Sequence, residues 1–388
     1  MTERLYYADS FLTDFDAVVT DIQELSRASG QSLWRVALDR SAFYPTSGGQ
    51  PFDTGSLIAT ARSGAELTAD IVGVEEDEHG EVWHHTAKPL LSGTHVRGVV
   101  DAARRLDHMQ QHSGQHLLSA AFVRICGAPT VSFHLGEGSS TIDLALDTLA
   151  EATLEQVEEL ANRIIAEDRP VTVHVVPRAQ AEAWLAAGEL RKLPPRQGDL
   201  RIIEIRDFDR NACGGTHARS TGQIGGMHLR GLEKVKQGLR VEFVCGLRAM
   251  RTSREDFHRL TEAARQLSVG LEEVPQAIQR MQTDAKQAAK QTLRLTAELA
   301  QYHAAELIRQ TSAQAGLRLV RVQLTPVNSS DAGYAKLLAS KIAAQGERTV
   351  ALISWEPSRQ PEVAADPATI VLARSRDFDF DCGTTLRE

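Results

Sequence analysis

The segment His112-Ser113-Gly114-Gln115-His116, read with Cys213-Gly214-Gly215-Thr216-His217 about a hundred residues later, restricts this chain more than any other feature. Histidines four apart on a helix stand one turn from each other on one face, near enough to share one ion. On a helical wheel Leu117, Leu118, Ala121, Phe122 and Ile125 gather on one side, with His112 and His116 roughly opposite that apolar stripe. A histidine buried only for packing would lie within the stripe. The second segment offers a thiol and an imidazole around two glycines, which permit a tight turn and close backbone approach. His112, His116, Cys213 and His217 together make a nitrogen and sulfur set suited to one zinc ion. The histidine pair alone is a weak signal, since chance supplies its spacing often; CGGTH is what strengthens it.

Composition sets the outer limits. With 388 residues, 42% of them hydrophobic, the chain can bury more than one core, and two to four domains are expected. No apolar run is long enough to span a bilayer and MTERLYYADS does not read as a signal peptide, so a cytoplasmic protein is expected. Four scattered cysteines (Cys126, Cys213, Cys245, Cys382) without CxxC argue against a disulfide framework. The net charge of −8 argues against a wholly basic nucleic-acid binder, yet residues 189–254 hold 14 Lys+Arg against 7 Asp+Glu. An anionic partner could be met by that segment.

Taken in order, the chain predicts an α+β, multidomain protein. Residues 1–92 form a small β-rich, barrel-like unit whose glycine segment, Phe43 to Gly55, reads by itself as no more than a hairpin connection. Residues 93–248 form an α+β core: a strand at 96–100, a helix from Arg104 to Ile125, strands at 130–136 and 141–144, and a helix over 149–168. A buried strand at 171–176, a short helix over 178–187 and strands at 200–205, 224–229 and 239–244 follow, giving a helix packed on one antiparallel sheet. Residues 249–312 form a helical arm or coiled coil broken at Ser268-Val269-Gly270, and residues 313–388 a small α/β domain.

FYPTSGGQPFDTG, HSGQH, CGGTHARSTGQIG and VKQGLRVEFVCG, in that order across residues 40–248, resemble the editing region of alanyl-tRNA synthetases and the freestanding AlaX-type trans-editing proteins. Gly114-Gln115 stands where the synthetase form usually has Ala-Thr, which points to the freestanding long type. The resemblance implies one Zn2+ ion and an ATP-independent hydrolysis of the ester joining a wrong amino acid, serine or glycine, to tRNA(Ala). It also implies tRNA contact and homodimerisation through the arm and the C-terminal domain. That last domain reads as shortened, because the glycine-rich loop expected near its end is missing. No adenylating domain precedes the editing region, so aminoacylation is not expected.

Serine selection needs a hydrogen bond that alanine leaves unmade. Ser132, which matches a family pocket position, Thr141 and Gln115 are the candidates. The backbone of Gly214 and Gly215 could supply oxyanion donors, and His134 could carry a proton. Arg191, Lys192, Arg196, Lys234, Lys236 and Arg240 are candidates for acceptor-stem phosphates. Four protein ligands fill a tetrahedral zinc, which favours a structural ion unless one ligand yields to water or substrate. A non-catalytic, zinc-stabilised tRNA-binding or dimerisation module is therefore the alternative.

Overall fold

The computed structural model describes residues 1–28, 31–61, 63–195, 198–236, 238–325, 332–355 and 368–386. Two compact units follow one another, Met1–Arg259 and Leu260–Glu388.

The first unit begins with six antiparallel strands: β1 (Asp14–Ala28), β2 (Gln31–Leu38), β3 (Gly55–Thr60), β4 (Glu66–Glu76), β5 (Val82–Thr86) and β6 (His95–Val100). They close into a barrel in the order β1-β2-β5-β4-β3-β6. Alternation puts Val19, Val36, Leu38, Leu57, Ile71, Val82, Val96 and Val100 inside, and closure leaves no edge unpaired. Gly98 has no side chain because one would meet the Phe15 ring at 2.3 Å. The strand at 95–100, grouped with the core on sequence grounds, completes this barrel instead by pairing with both β1 and β3.

Helix α1 (Ala102–Cys126) leaves the barrel directly. Asp101 caps it by accepting from the Ala103 and Arg104 amides, and Gly127, at φ +67°, ends it in the left-handed conformation. From His108 to Phe122 the helix is buried on every side, its polar side included. Its apolar side, Leu117, Leu118, Ala121 and Phe122, joins the core of a four-stranded sheet, whereas Ile125, placed on the stripe by the wheel, is exposed. Its polar side is covered by the barrel segment at 42–53 and by residues 217–247, whose Gln223 and Cys245 carbonyls accept from Gln110 and Gln111. The fully buried Arg105 donates to the Asp53 carboxylate and to the carbonyls of Ser10 and Ala42.

One antiparallel sheet was expected in the core; two are present. β7 (Thr130–Leu135), β8 (Ser140–Leu144), β12 (Met227–Val235) and β13 (Gly238–Cys245) form one, in the order β12-β13-β8-β7. Helix α2 (Glu151–Ala166) packs beside α1. The second sheet contains β9 (Val171–Val176), β10 (Leu200–Ile205) and β11 (Asp209–Ala212), with helix α3 (Arg178–Ala186) between the first two strands. β9 is an edge strand rather than a buried one. Val175 is 67% exposed because only β10 pairs with it and its outer face is open.

Helix α4 (Gly246–Leu267) runs through the boundary between the units, and α5 (Val274–Gln310) follows after Ser268 at φ +54°. In the second unit β14 (Arg318–Leu324) pairs parallel with β15 (Thr349–Trp355) through α6 (Ala332–Gln345), and β16 (Thr369–Arg374) adds antiparallel. Ala300 and Ala304 of α5 pack with Leu338, Ile342, Val320 and Ile353 in its core, giving the expected small α/β layer. No helix among the described residues is long and apolar enough to cross a membrane.

Candidate metal centre

Helix α1 presents His112 and His116 one turn apart, and the turn after β11 presents Cys213 and His217. One ligand atom from each lies within 4.8 Å of all the others. The sulfur of Cys213 stands 3.4 Å from His112 Nε2 and 3.3 Å from His217 Nε2. A tetrahedral zinc bonded to sulfur and nitrogen separates those atoms by about 3.5 Å. The donor set and these two edges fit zinc, and the widest separation asks for a small inward movement of at least one side chain.

The turn can come this close because of Gly215. A Cβ there would sit 2.1 Å from His112 Cε1, whereas one at Gly214 would meet Tyr7 Oη at an ordinary 3.4 Å. Arg201 on β10 ties the turn down by donating to the carbonyls of Cys213 (2.8 Å) and Gly215 (2.9 Å). The Gly215 amide donates to the Cys213 sulfur at 3.4 Å, so it is not free to meet an oxyanion. Gly214 is exposed, and its amide has no hydrogen-bond partner among the described residues.

The barrel fixes the proton on His112. Gln50, from the SGGQ segment, accepts from the Thr216 amide at 3.1 Å through Oε1 and donates to Thr216 Oγ1 at 2.8 Å through Nε2. The backbone amide can only donate, so Oε1 is the acceptor, and the His112 Nδ1 that lies 2.8 Å from it must carry hydrogen. That leaves the Nε2 lone pair facing Cys213. Ser113 Oγ plays the corresponding part at 3.2 Å from His217 Nδ1, while accepting from the Ala218 amide. Such outer partners orient metal-ligating imidazoles.

Burial acts in the same direction. It holds His112 at about 3, and with neighbouring positive charge it drives His116 and His217 well below the usual histidine range. Burial also raises the Cys213 thiol. Near neutral pH the three imidazoles therefore offer lone pairs without losing a proton, and only the thiol must release one to bind metal.

The other expected site residues are dispersed. Gln115 is buried and donates to Ser119 Oγ at 2.8 Å rather than facing the ligand cluster. Ser132 is exposed and donates to Asp143 at 2.7 Å; Asp143 also receives Arg240 at 2.7 Å. Ser132, His134, Thr141 and Arg240 occupy one outer face of the sheet by register. The residue that faces the cluster from β7 is Phe133, whose ring lies 5.9 Å from His112 and against Gly49. Arg191 pairs with Asp209 at 2.9 Å, and that carboxylate lies 3.8 Å from His116 Nδ1. Lys192, Lys234 and Lys236 are exposed. Arg196 lies outside the described residues. Gln50, Ser113, Arg201 and Asp209 had no role in the sequence reading. Only the SGGQ segment carried a hint, and it had been read as a turn.

A buried set of three imidazoles and one thiol, with Gln50 reaching in from the adjoining barrel, gives this α+β domain a donor set that could hold a metal ion. Residues 200–242 match the threonyl and alanyl tRNA synthetase second additional domain. The alanine–tRNA ligase of Pyrococcus abyssi is 36% identical over 322 residues, 79% of this chain and 32% of the ligase. That of Halobacterium salinarum is 33% identical over 307 residues, again 32% of the ligase. The chain thus spans about a third of the length of these ligases. The alanyl-tRNA editing protein AlaX-M of Methanosarcina acetivorans is 34% identical over 257 residues, 63% of this chain and 98% of that protein. The chain belongs to the AlaX-type alanyl-tRNA editing family.

Proposed function

We propose that this protein hydrolyses the ester of mischarged tRNA(Ala), with seryl-tRNA as the first substrate and glycyl-tRNA as the second, and that it holds one Zn2+ ion. The observation that carries the reading is the cluster of His112, His116, Cys213 and His217, with Gln50 and Ser113 setting the protons of two imidazoles. The chain's likeness to the alanyl-tRNA editing protein AlaX-M over nearly all of that protein supports editing of tRNA(Ala) as the class of reaction. The reaction adds water across the bond between the aminoacyl carbon and the ribose oxygen, releasing free amino acid and uncharged tRNA. Zinc held by His112, His116, Cys213 and His217 would supply Lewis-acid polarisation of an ester or a water, and would tie helix α1 to the turn after β11.

The chain's own residues do the rest. The Gly214 amide, exposed beside Cys213, is the candidate donor to the developing oxyanion. Phe133 limits water at the His112 side. Ser132 and Thr141 remain the candidates for reading the seryl hydroxyl only if the substrate reaches the outer face of the sheet. Lys192, Lys234 and Lys236 suit phosphate contacts better than Arg191 and Arg240, which already hold carboxylates. The four-ligand set also favours a second reading, a structural zinc in a non-catalytic tRNA-binding or dimerisation module.

Release of serine from seryl-tRNA(Ala), with alanyl-tRNA(Ala) as control, decides between them. Fast seryl release with the alanyl ester spared, and loss of both zinc and release in Cys213→Ala, is the expected result. Seryl ester decay no faster than in buffer would leave only the binding module.

A further inference from the structure

Two of the three imidazoles have a defined outer partner, Gln50 for His112 and Ser113 for His217. His116 has none. Its Nδ1 is buried without a hydrogen-bond partner, although an imidazole that binds metal through Nε2 carries a proton there. One carboxylate faces that atom: Asp209 Oδ2, at 3.8 Å. The Asp209 side chain is 5% exposed and sits at the start of β11, four residues before Cys213. The same oxygen accepts from Arg191 Nη2 at 2.9 Å and from Asn211 Nδ2 at 2.8 Å. A buried carboxylate with no such partners would be strongly unfavourable, so its position beside His116 is fixed by charge as well as by packing. At 3.8 Å the pair is wider than a hydrogen bond, and a small shift of either side chain closes it.

We propose that Asp209 is the positioning residue for His116: its carboxylate accepts a hydrogen bond from Nδ1–H when metal binds, which leaves Nε2 to face the ion, and Arg191 holds the carboxylate for that task. This rests on the metal reading above. It also gives Arg191 a duty other than phosphate contact, and explains why a basic side chain from the loop before β10 is drawn inward beside the metal ligands.

The test is zinc affinity of the full chain, measured by competition with a chromophoric chelator, beside the ligand-field spectrum of the Co2+-loaded protein. Asp209→Ala should weaken zinc binding about 10- to 100-fold and shift the cobalt bands, the range seen when outer partners of metal ligands are removed. Asp209→Asn keeps an oxygen acceptor and should recover most of the affinity. Asp209→Ala that binds zinc as tightly as the parent, with unchanged cobalt bands, would overturn the proposal while leaving the metal reading intact. A parent that binds no zinc would remove both. Should Asp209→Ala fail to fold, the zinc-loaded parent labelled with 15N-histidine still decides. A slowly exchanging Nδ1 proton on His116 is expected, and a His116 ring without a proton at Nδ1 would refute it.

Discussion

At the scale of single residues, Gly215 and Gly214 make the sharpest contrast. Both stand in the same turn, but only the first lies against the His112 ring. Gly215→Ala should therefore abolish stoichiometric zinc binding, because its methyl group occupies space the imidazole needs, whereas Gly214→Ala should retain it. Metal analysis of the two purified variants checks this. His84 offers a separate prediction inside the barrel. Its ring is fully buried, lies 3.0 Å from the Val36 carbonyl at Nδ1 and 2.7 Å from Ser41 Oγ at Nε2, and burial depresses it to about 4. The folded form thus disfavours the proton that the unfolded chain accepts near 6.5. The resulting stability is fully present above about pH 6.5 and is lost as pH falls towards 4, a difference of about 3 kcal/mol. Urea unfolding of the parent and of His84→Gln across that range should show a steeper acid loss in the parent. The four candidate ligands were legible as letters, since histidine and cysteine at such spacings carry their chemistry with them. Gln50, Ser113 and Asp209 were not, because an amide, a hydroxyl or a carboxylate acquires its role only from the atom it faces.

At the scale of elements, α1 is the member that the rest of the first unit encloses. It starts at Ala102, two residues before the Arg104 that the sequence predicts, because the Asp101 carboxylate accepts from the Ala103 and Arg104 amides and caps it there. Asp101→Ala should cost about 1 kcal/mol, the usual worth of a lost helix cap. Asp53→Ala should cost about 3–5 kcal/mol, since it leaves the buried Arg105 guanidinium without its carboxylate. Denaturant midpoints of the two variants should fall in that order. A helical wheel could not foresee that both faces of α1 would be covered. It ranks side chains by hydropathy, and here partners from the barrel (Asp53 to Arg105, Gln50 to His112) and from the segment 217–248 (Cys245 to Gln111, Arg248 to Asp107) satisfy the polar face. The strand β9 erred the other way. Val171 to Val176 has the composition of a buried strand, yet strand composition does not reveal whether a second neighbour will pair with it.

At the scale of the whole molecule, the acidic total conceals a positive segment, and much of that positive charge is consumed internally. Arg191, Arg201, Arg240 and Arg248 all hold carboxylates or carbonyls within the first unit. If tRNA is the partner, exposed lysines should dominate its salt dependence. Neutralising Lys192, Lys234 or Lys236 singly to glutamine should weaken tRNA binding at low salt and reduce the slope of log affinity against log salt by about one per phosphate contact. The same change at Arg240 should leave the slope nearly unaltered and instead free Asp143. Filter binding across a salt series checks both.

The letters alone carry the three-histidine, one-cysteine donor set, the order of barrel-like, helical and α/β parts, and the family resemblance. These rest on local chemistry and on patterns repeated within a few residues. Only the tertiary structure decided that SGGQ reaches from the barrel to set the proton on His112, and that the sheet is two sheets. It also turned Ser132 outward and aimed Asp209 at an orphaned imidazole nitrogen. Those outcomes depend on which distant surfaces meet, and an interaction between residues sixty to a hundred positions apart leaves no trace in the spacing of either one.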